Sequence, residues 1–115
     1  MGLGPTVDLL QGTLDVLILK TLSWGPMHGY AVARWLQRVT DDVLSIEEGS
    51  LYPSLHRMEK RGWIEAEWGL SENNRRAKYY ALTALGRKQL RVEAMSFTAF
   101  TAAVLKVLQA NKLAT

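Results

Sequence analysis

The chain has 115 residues, of which 48% are hydrophobic and 22% charged, enough for one domain with at most one accessory element. It contains no cysteine, which excludes disulfide scaffolds, thiolate metal sites and thiol catalysis. The net charge of +3 is only a weak indication of an anionic partner, so the distribution of charge along the chain is more informative.

The first half of the chain has the pattern of three helices. An apolar run at residues 9–22 predicts a helix that is buried on more than one side, and it is too short to span a membrane. Apolar spacing predicts a second helix at about residues 29–39 and a third at about residues 49–61. Residues 43–46 between them are β-prone and predict a short single strand. Pro53 is expected in the first turn of the third helix, where a missing N–H is tolerated.

A β-hairpin and a long final helix are predicted next. Residues 64–68 alternate between apolar side chains and glutamates, as in a strand with one solvated face. After a polar loop at residues 69–76, residues 78–82 return as a second strand. Thr83 is the predicted N-cap of a helix that reaches about residue 111. This order predicts a mainly α fold with a small β-hairpin, namely a winged helix-turn-helix with an additional long C-terminal helix.

Basic residues are concentrated in one part of the chain. Residues 50–91 contain nine basic and four acidic residues, a net charge of +5. The rest of the chain contains five basic and seven acidic residues, a net charge of −2. A positive stripe on an otherwise neutral body is typical of proteins that bind nucleic acids.

The third helix and the hairpin tip are the candidate DNA-binding elements. With Leu51, Leu55 and Met58 facing the core, the helix presents a polar and basic face that suits a major groove. Either feature alone is more often a solvated surface, but their occurrence together favours DNA binding. The candidate DNA-binding residues are Ser50, Tyr52, Pro53, His56, Arg57 and Lys60 on the helix, with Arg57 pairing with guanine edges or phosphates, and Asn73, Asn74, Arg75, Arg76 and Lys78 on the hairpin.

The last helix is predicted to pair with a second copy of the chain. Its apolar residues follow a heptad pattern that is interrupted by Glu93, and a domain this small leaves little else for them to cover. We therefore expect a homodimer, with residues 1–83 as the DNA-binding domain and residues 84–115 as the dimerisation helix. The predicted dimer interface contains Leu10, Leu14 and Leu17 of the first helix and Leu90, Phe97, Phe100, Val104 and Val107 of the last helix.

Several motifs occur together over about residues 9–95. They are Gly12-Thr13-Leu14, His28-Gly29-Tyr30, a Gly-Ser-Leu-Tyr-Pro stretch that begins at Gly49, and Arg-Arg-x-x-Tyr-Tyr-x-Leu-Thr at residues 75–83. In these motifs the chain resembles the PadR-like family of transcriptional regulators. The resemblance implies a homodimeric repressor whose third helix enters the major groove and whose hairpin lies over the adjacent backbone. It also implies a short member of the family, of a kind often found beside transporter or permease genes and responsive to hydrophobic or aromatic compounds.

The sequence leaves the binding of a small-molecule effector open. In short PadR-like proteins a Trp commonly occupies the position of Phe97 and stacks on ligands, whereas Phe offers a stacking face without an N–H donor. One alternative is a ligand pocket lined by Met95, Phe97, Phe100 and the first helix. The other is that both phenylalanines are closed dimer core. For the function, the rivals are a regulator of a transporter or stress-response gene, a DNA binder without an effector, and a winged-helix protein-interaction module.

No pattern in the chain indicates catalysis or a cofactor. The two histidines, His28 and His56, fall on different helices without a third ligand at metal spacing. Phosphate-binding loops and nucleophile motifs are not found. We therefore expect a cytoplasmic protein, not an enzyme, with no metal, no cofactor and no membrane partner. Its expected partners are double-stranded DNA with a pseudo-palindromic operator and a second copy of the chain.

Overall fold

The computed structural model describes the backbone of residues 7–113 and the side chains of residues 12–113. A mainly α fold with a small sheet and a long last helix is confirmed. The elements in chain order are α1 (Val7–Leu22), β1 (Met27–His28), α2 (Gly29–Val39), α3 (Glu48–Lys60), β2 (Ile64–Leu70), β3 (Arg76–Leu82) and α4 (Ala84–Gln109).

The sheet has three strands in the order β1-β3-β2, one more than the predicted hairpin. β2 and β3 pair antiparallel from Ile64↔Leu82 to Leu70↔Arg76, so both strands are longer than predicted and the turn between them shrinks to residues 71–75. β1 pairs with the other edge of β3 and places His28 opposite Tyr79. We refer to the β2–β3 hairpin as the wing.

The strand predicted at residues 43–46 is wrong. Asp41 and Asp42 take left-handed φ angles of 51° and 66° after α2, and the chain then crosses to α3 as an irregular segment. Val43 in this segment is exposed, and the segment pairs with none of the three strands. A β-prone composition is insufficient here because a strand needs a pairing partner.

The core lies between the first three helices and one face of the sheet. The predicted inward stripe of α3 is confirmed, since Leu51, Leu55 and Met58 are buried. Pro53, in contrast, is the sixth residue of α3 and not in its first turn. Proline has no N–H, so the helical hydrogen bond to the Gly49 carbonyl is missing. The position is exposed, so water can bond to this carbonyl instead.

The start of α4 is attached closely to the body. Thr83 is its N-cap, as predicted, because the Thr83 hydroxyl accepts a hydrogen bond from the Gly86 N–H (3.0 Å) and donates one to the Gly62 carbonyl (2.6 Å). A Cβ built on Gly86 would lie only 1.9 Å from the Trp63 carbonyl oxygen. Glycine is therefore required at this joint by close backbone approach.

The outer part of α4 is apolar and largely exposed. Phe100 is 58% exposed and Val107 74%, in a molecule that measures 59 × 34 × 22 Å. By length and composition alone this 26-residue helix could also cross a membrane, and none of its apolar window is buried. An exposed apolar surface of this kind is typical of a site of contact with another protein, a membrane or a ligand.

Candidate nucleic-acid interface

Four of the six predicted DNA-binding residues on α3 are exposed. They lie on one side of the helix because their spacing follows the helical repeat. The inward side is occupied by the core stripe described above. The exposed residues are Tyr52, Pro53, His56 and Lys60.

Tyr52 also contributes to the packing of α3 against α2. A Cβ on Gly29 would lie 2.9 Å from the Tyr52 ring, so the two helices approach closely at this point. Burial raises the pKa of the Tyr52 hydroxyl above its ordinary value of 10.0, and the nearby Glu48 carboxylate raises it further. The hydroxyl therefore keeps its proton at neutral pH and can donate a hydrogen bond to an anion.

Ser50 does not lie at the start of α3. It is the third residue of the helix, and its backbone N–H already donates to the Glu47 carbonyl (3.0 Å). Glu47 and Glu48 place two carboxylates at the helix N-terminus, where they disfavour a phosphate. Of the contacts predicted for Ser50, only its half-buried side-chain hydroxyl remains available.

Arg57 is bound within the protein. Its Nη2 atom lies 2.7 Å from the Asp15 Oδ1 atom of α1 and 3.4 Å from the Ser54 hydroxyl. The Arg57 side chain is 25% exposed and that of Asp15 13%. The helical wheel placed Arg57 on the outward face, but this ion pair joins α3 to α1 across 42 residues of sequence.

The turn of the wing has a defined backbone conformation. The Ser71 N–H donates to the Arg75 carbonyl (2.8 Å), and the Asn74 N–H donates to the Ser71 carbonyl (2.9 Å). Asn74 has a left-handed φ of 61°, which asparagine tolerates better than most residues. Asn73, Asn74, Arg75 and Arg76 are all exposed.

Two basic residues at the base of the turn have partners within the protein. The Arg76 guanidinium lies 4.6 Å from the centre of the Trp68 ring, in a cation–π contact across the wing. The Lys78 Nζ atom lies 3.4 Å from the Glu59 Oε1 atom of α3. This second contact places the wing beside α3.

A further basic surface lies on α2, where the sequence predicted no site residues. Tyr30, Arg34 and Arg38 are exposed and spaced by four residues, so they form one stripe along the helix. The stripe borders the N-terminal part of α3 on one side and the turn of the wing on the other. In the sequence, this stripe could have been recognised from its two arginines, which are spaced by four residues.

Some of the predicted dimer-interface residues pack in the core of their own subunit, and others are exposed on α4. Leu14 is 1% exposed and packs in the core of its own subunit, so it has no surface to offer a partner. Leu17 and Leu90 are half-buried against the same core, while Leu10 lies outside the residues whose side chains are described. The exposed members are Phe97, Phe100, Val104 and Val107 of α4.

A groove of about 380 Å³ lies between α1 and α4. Phe97 and Phe100 line it together with Val16 and Glu93, so the first helix contributes as predicted. Met95 does not line this groove and is 75% exposed elsewhere on α4, because two residues along a helix turn the side chain by about 200° from Phe97.

Neither histidine is part of a metal site in the described region. His28 caps α2 by accepting a hydrogen bond from the Ala31 N–H at its Nδ1 atom (3.1 Å). His56 is exposed on α3. Within residues 12–113, no group of three His, Asp or Glu side chains could hold a metal ion.

Comparison with known proteins decides the family. The model of the transcriptional regulator PadR-like family matches residues 18–92. The chain belongs to the PadR-like family. The resemblance seen in its sequence motifs is thereby confirmed, and the PadR-like chain is a DNA-binding transcriptional regulator with a winged helix-turn-helix fold. Such regulators generally do not catalyse reactions.

Similar solved structures agree with this assignment, and one curated relative is similar to most of the chain. A transcriptional regulator from Clostridium thermocellum is 29% identical with a TM-score of 0.77, over 86% of this chain and 96% of that one. A PadR-like transcriptional regulator from Bacillus cereus is 31% identical with a TM-score of 0.76, over 90% and 99%. An uncharacterised protein from Lysinibacillus sphaericus is 32% identical over 83 residues, which cover 72% of this chain and 76% of the relative.

Proposed function

We propose that this PadR-like regulator is a cytoplasmic dimeric repressor that binds a pseudo-palindromic operator through α3 and the wing. The observation that supports this most directly is the Lys78–Glu59 contact of 3.4 Å. This contact holds the wing beside α3, which supports a binding surface that both elements share. A helix and a hairpin in this arrangement can occupy a major groove and the adjacent backbone at the same time.

The proposed roles follow from exposure and chemistry. Lys60 and His56 are free to contact base edges or phosphates in the major groove, with Tyr52, Pro53 and the Ser50 hydroxyl beside them. Arg75 and Arg76 contact phosphates or a narrow minor groove, assisted by Asn73, Asn74 and Lys78. We assign Arg57 a positioning role, because its ion pair with Asp15 holds α3 against α1.

We further propose that residues 84–115 form the dimerisation helix and residues 1–83 the DNA-binding domain. The exposed apolar side chains of α4, including Phe100 and Val107, support pairing with a second copy. A twofold dimer presents two copies of α3 to successive major grooves. The half-sites of the operator are therefore expected about 10 bp apart.

For the effector, we propose a hydrophobic or aromatic compound that binds in the groove between α1 and α4. Phe97 and Phe100 provide aromatic faces there, and the groove is open to solvent in the single subunit. Relief of repression at a neighbouring transporter, permease or stress-response gene is the proposed regulatory output. Quenching of a planar fluorescent dye that is lost in Phe97→Ala tests this part, and unaltered dye fluorescence with the wild-type protein would contradict it.

The DNA-binding assignment is tested by fluorescence anisotropy with two variants of the contact surface. Arg75→Ala/Arg76→Ala is expected to weaken binding evenly across sequences and to lower the slope of log K against log salt by about two for each bound subunit. His56→Ala/Lys60→Ala is expected to reduce the preference for the operator over random duplex. Lys112→Ala, an exposed lysine near the end of the chain, is the control.

Two results would contradict the assignment. One is a wild-type protein that shows no salt-sensitive binding to duplex DNA, which would favour the protein-interaction alternative. The other is wild-type operator affinity in both double variants at physiological salt, which would move the contact surface elsewhere on the protein.

A further inference from the structure

We propose that Arg34 and Arg38 of α2 extend the phosphate-binding surface of Arg75 and Arg76 of the wing, so that α2 also contacts the backbone of the duplex held by α3. This inference rests on the proposed function and adds a partner surface that the sequence did not indicate. These four arginines line one open groove between α2 and the turn of the wing. We refer to this groove as the arginine groove.

The geometry of the arginine groove follows from the topology. β1 pairs with β3, so α2 begins directly beside the strand that leads out of the wing turn. Arg34 and Arg38 lie one helical turn apart and face the same side. The Arg34 guanidinium lies 5.7 Å from the centre of the exposed Tyr30 ring, which extends the same stripe towards the helix N-terminus.

The charges in the arginine groove are not balanced within the protein. Glu72 is the single acidic residue that lines it, and in the described part of the chain none of the four arginines has a carboxylate oxygen within 4.0 Å. Asp42 and Glu48 line the adjoining groove between α2 and α3 but lie outside ion-pair distance of the arginines. Like charges at i and i+4 disfavour a helix, so an external anion would relieve this repulsion.

The form of the arginine groove favours a polyanion over a small phosphate compound. All four arginines are exposed, so the groove does not enclose a ligand. The wing forms one side of the groove, and Arg34 and Arg38 also line the neighbouring groove between α2 and α3. The DNA backbone carries phosphates in a continuous row. A duplex that enters beside α3 and the wing would bring that row within reach of α2.

The decisive experiment measures the salt dependence of DNA binding for Arg34→Gln/Arg38→Gln. The slope of log K against log salt is expected to fall by about two for each bound subunit, on operator and random duplex alike. The preference for the operator should stay unchanged, because phosphate contacts carry no sequence information. Arg34→Lys/Arg38→Lys keeps both charges and should retain the wild-type slope. Lys106→Gln/Lys112→Gln removes two charges from the far end of the chain and should also retain it.

The controls separate this inference from the proposed function. If the Arg34→Gln/Arg38→Gln slope matches wild type while that of Arg75→Ala/Arg76→Ala falls, the inference is overturned and DNA binding by the wing stands. If the wild-type protein does not bind duplex DNA, the proposed function itself is wrong. Should the glutamine pair lower the melting temperature, each single variant is measured, with an expected loss of about one in slope.

A second arm distinguishes DNA from a small phosphate compound as the source of the phosphate. Sodium pyrophosphate is added at matched ionic strength, and thermal unfolding is recorded. Equal responses of wild type and Arg34→Gln/Arg38→Gln are expected. Stabilisation of wild type alone, together with an unchanged DNA slope in the variant, would overturn the assignment in favour of a small-anion site.

Discussion

The winged-helix body and the outer part of α4 contain similar apolar side chains in opposite environments. Leu14 of the body is 1% exposed, whereas Phe100 of α4 is 58% exposed. The body has a core that is buried within one subunit, formed by Leu14 and the other buried residues of the first three helices and the sheet. The outer part of α4 leaves its apolar side chains exposed, which supports the proposed pairing with a second copy of the chain.

This contrast separates two kinds of substitution. Changes in the body or at its joint with α4 should alter the free energy of unfolding of the subunit. Changes on the exposed face of α4 should alter association and leave the fold of the subunit in place.

The joint between the two regions is the most sensitive position. Gly86→Ala is expected to lower the free energy of unfolding by about 3 kcal/mol, because the added methyl group meets the Trp63 carbonyl oxygen at 1.9 Å and backbone has to move. Urea denaturation followed by circular dichroism measures this change. Gly49→Ala, where no heavy atom lies within 4 Å of the added carbon, is the control and should not destabilise the protein. Equal effects of the two changes would contradict the close packing at Gly86.

Substitutions on the exposed face of α4 should change the dimer dissociation constant. Phe100→Glu places a charge in the proposed helix pair and is expected to raise the dimer dissociation constant at least about 100-fold, equivalent to about 2.7 kcal/mol. Sedimentation velocity over a concentration series measures it. Ala102→Glu, two residues further along α4 and off the heptad stripe, is the matched control. A dimer that tolerates Phe100→Glu as well as Ala102→Glu would show that this face is not the interface.

The ion pair between α1 and α3 should have the smallest effect of the three. Asp15→Ala leaves Arg57 without its partner, and because the Arg57 side chain is 25% exposed we expect a loss of only about 1 kcal/mol after solvent screening. The loss should shrink further in high salt. Glu67→Ala on the exposed face of β2 is the control, expected within about 0.5 kcal/mol of wild type. Wild-type stability of Asp15→Ala would refute the positioning role of Arg57.

Periodic patterns in the sequence were sufficient for much of the fold. The apolar spacing located α2 and α3 to within one residue at each end, and the side chain of Thr83 identified the start of α4. β1 was missed because two residues are too short to show an alternating pattern. The single strand predicted at residues 43–46 failed for the opposite reason, since its composition fits a strand but the segment pairs with no strand of the sheet.

The interface was less predictable because it depends on contacts between distant elements. A helical wheel places Arg57 outward, but Asp15 lies 42 residues earlier and only the folded chain brings them together. Leu14 shows the same limit, because an apolar residue in α1 can serve the core or a partner equally well by sequence. The spacing of Arg34 and Arg38 could be read from the sequence. Only the structure shows that they line a groove together with arginines of the wing.

The central claim is that two copies of one basic surface, formed by α3 and the wing, are presented by twofold pairing through α4. Selection of bound duplexes from a random pool with the wild-type protein tests it most directly. The account predicts an enriched motif of two inverted half-sites with centres about 10 bp apart. A single half-site without its inverted counterpart, or no enrichment over the starting pool, would contradict it.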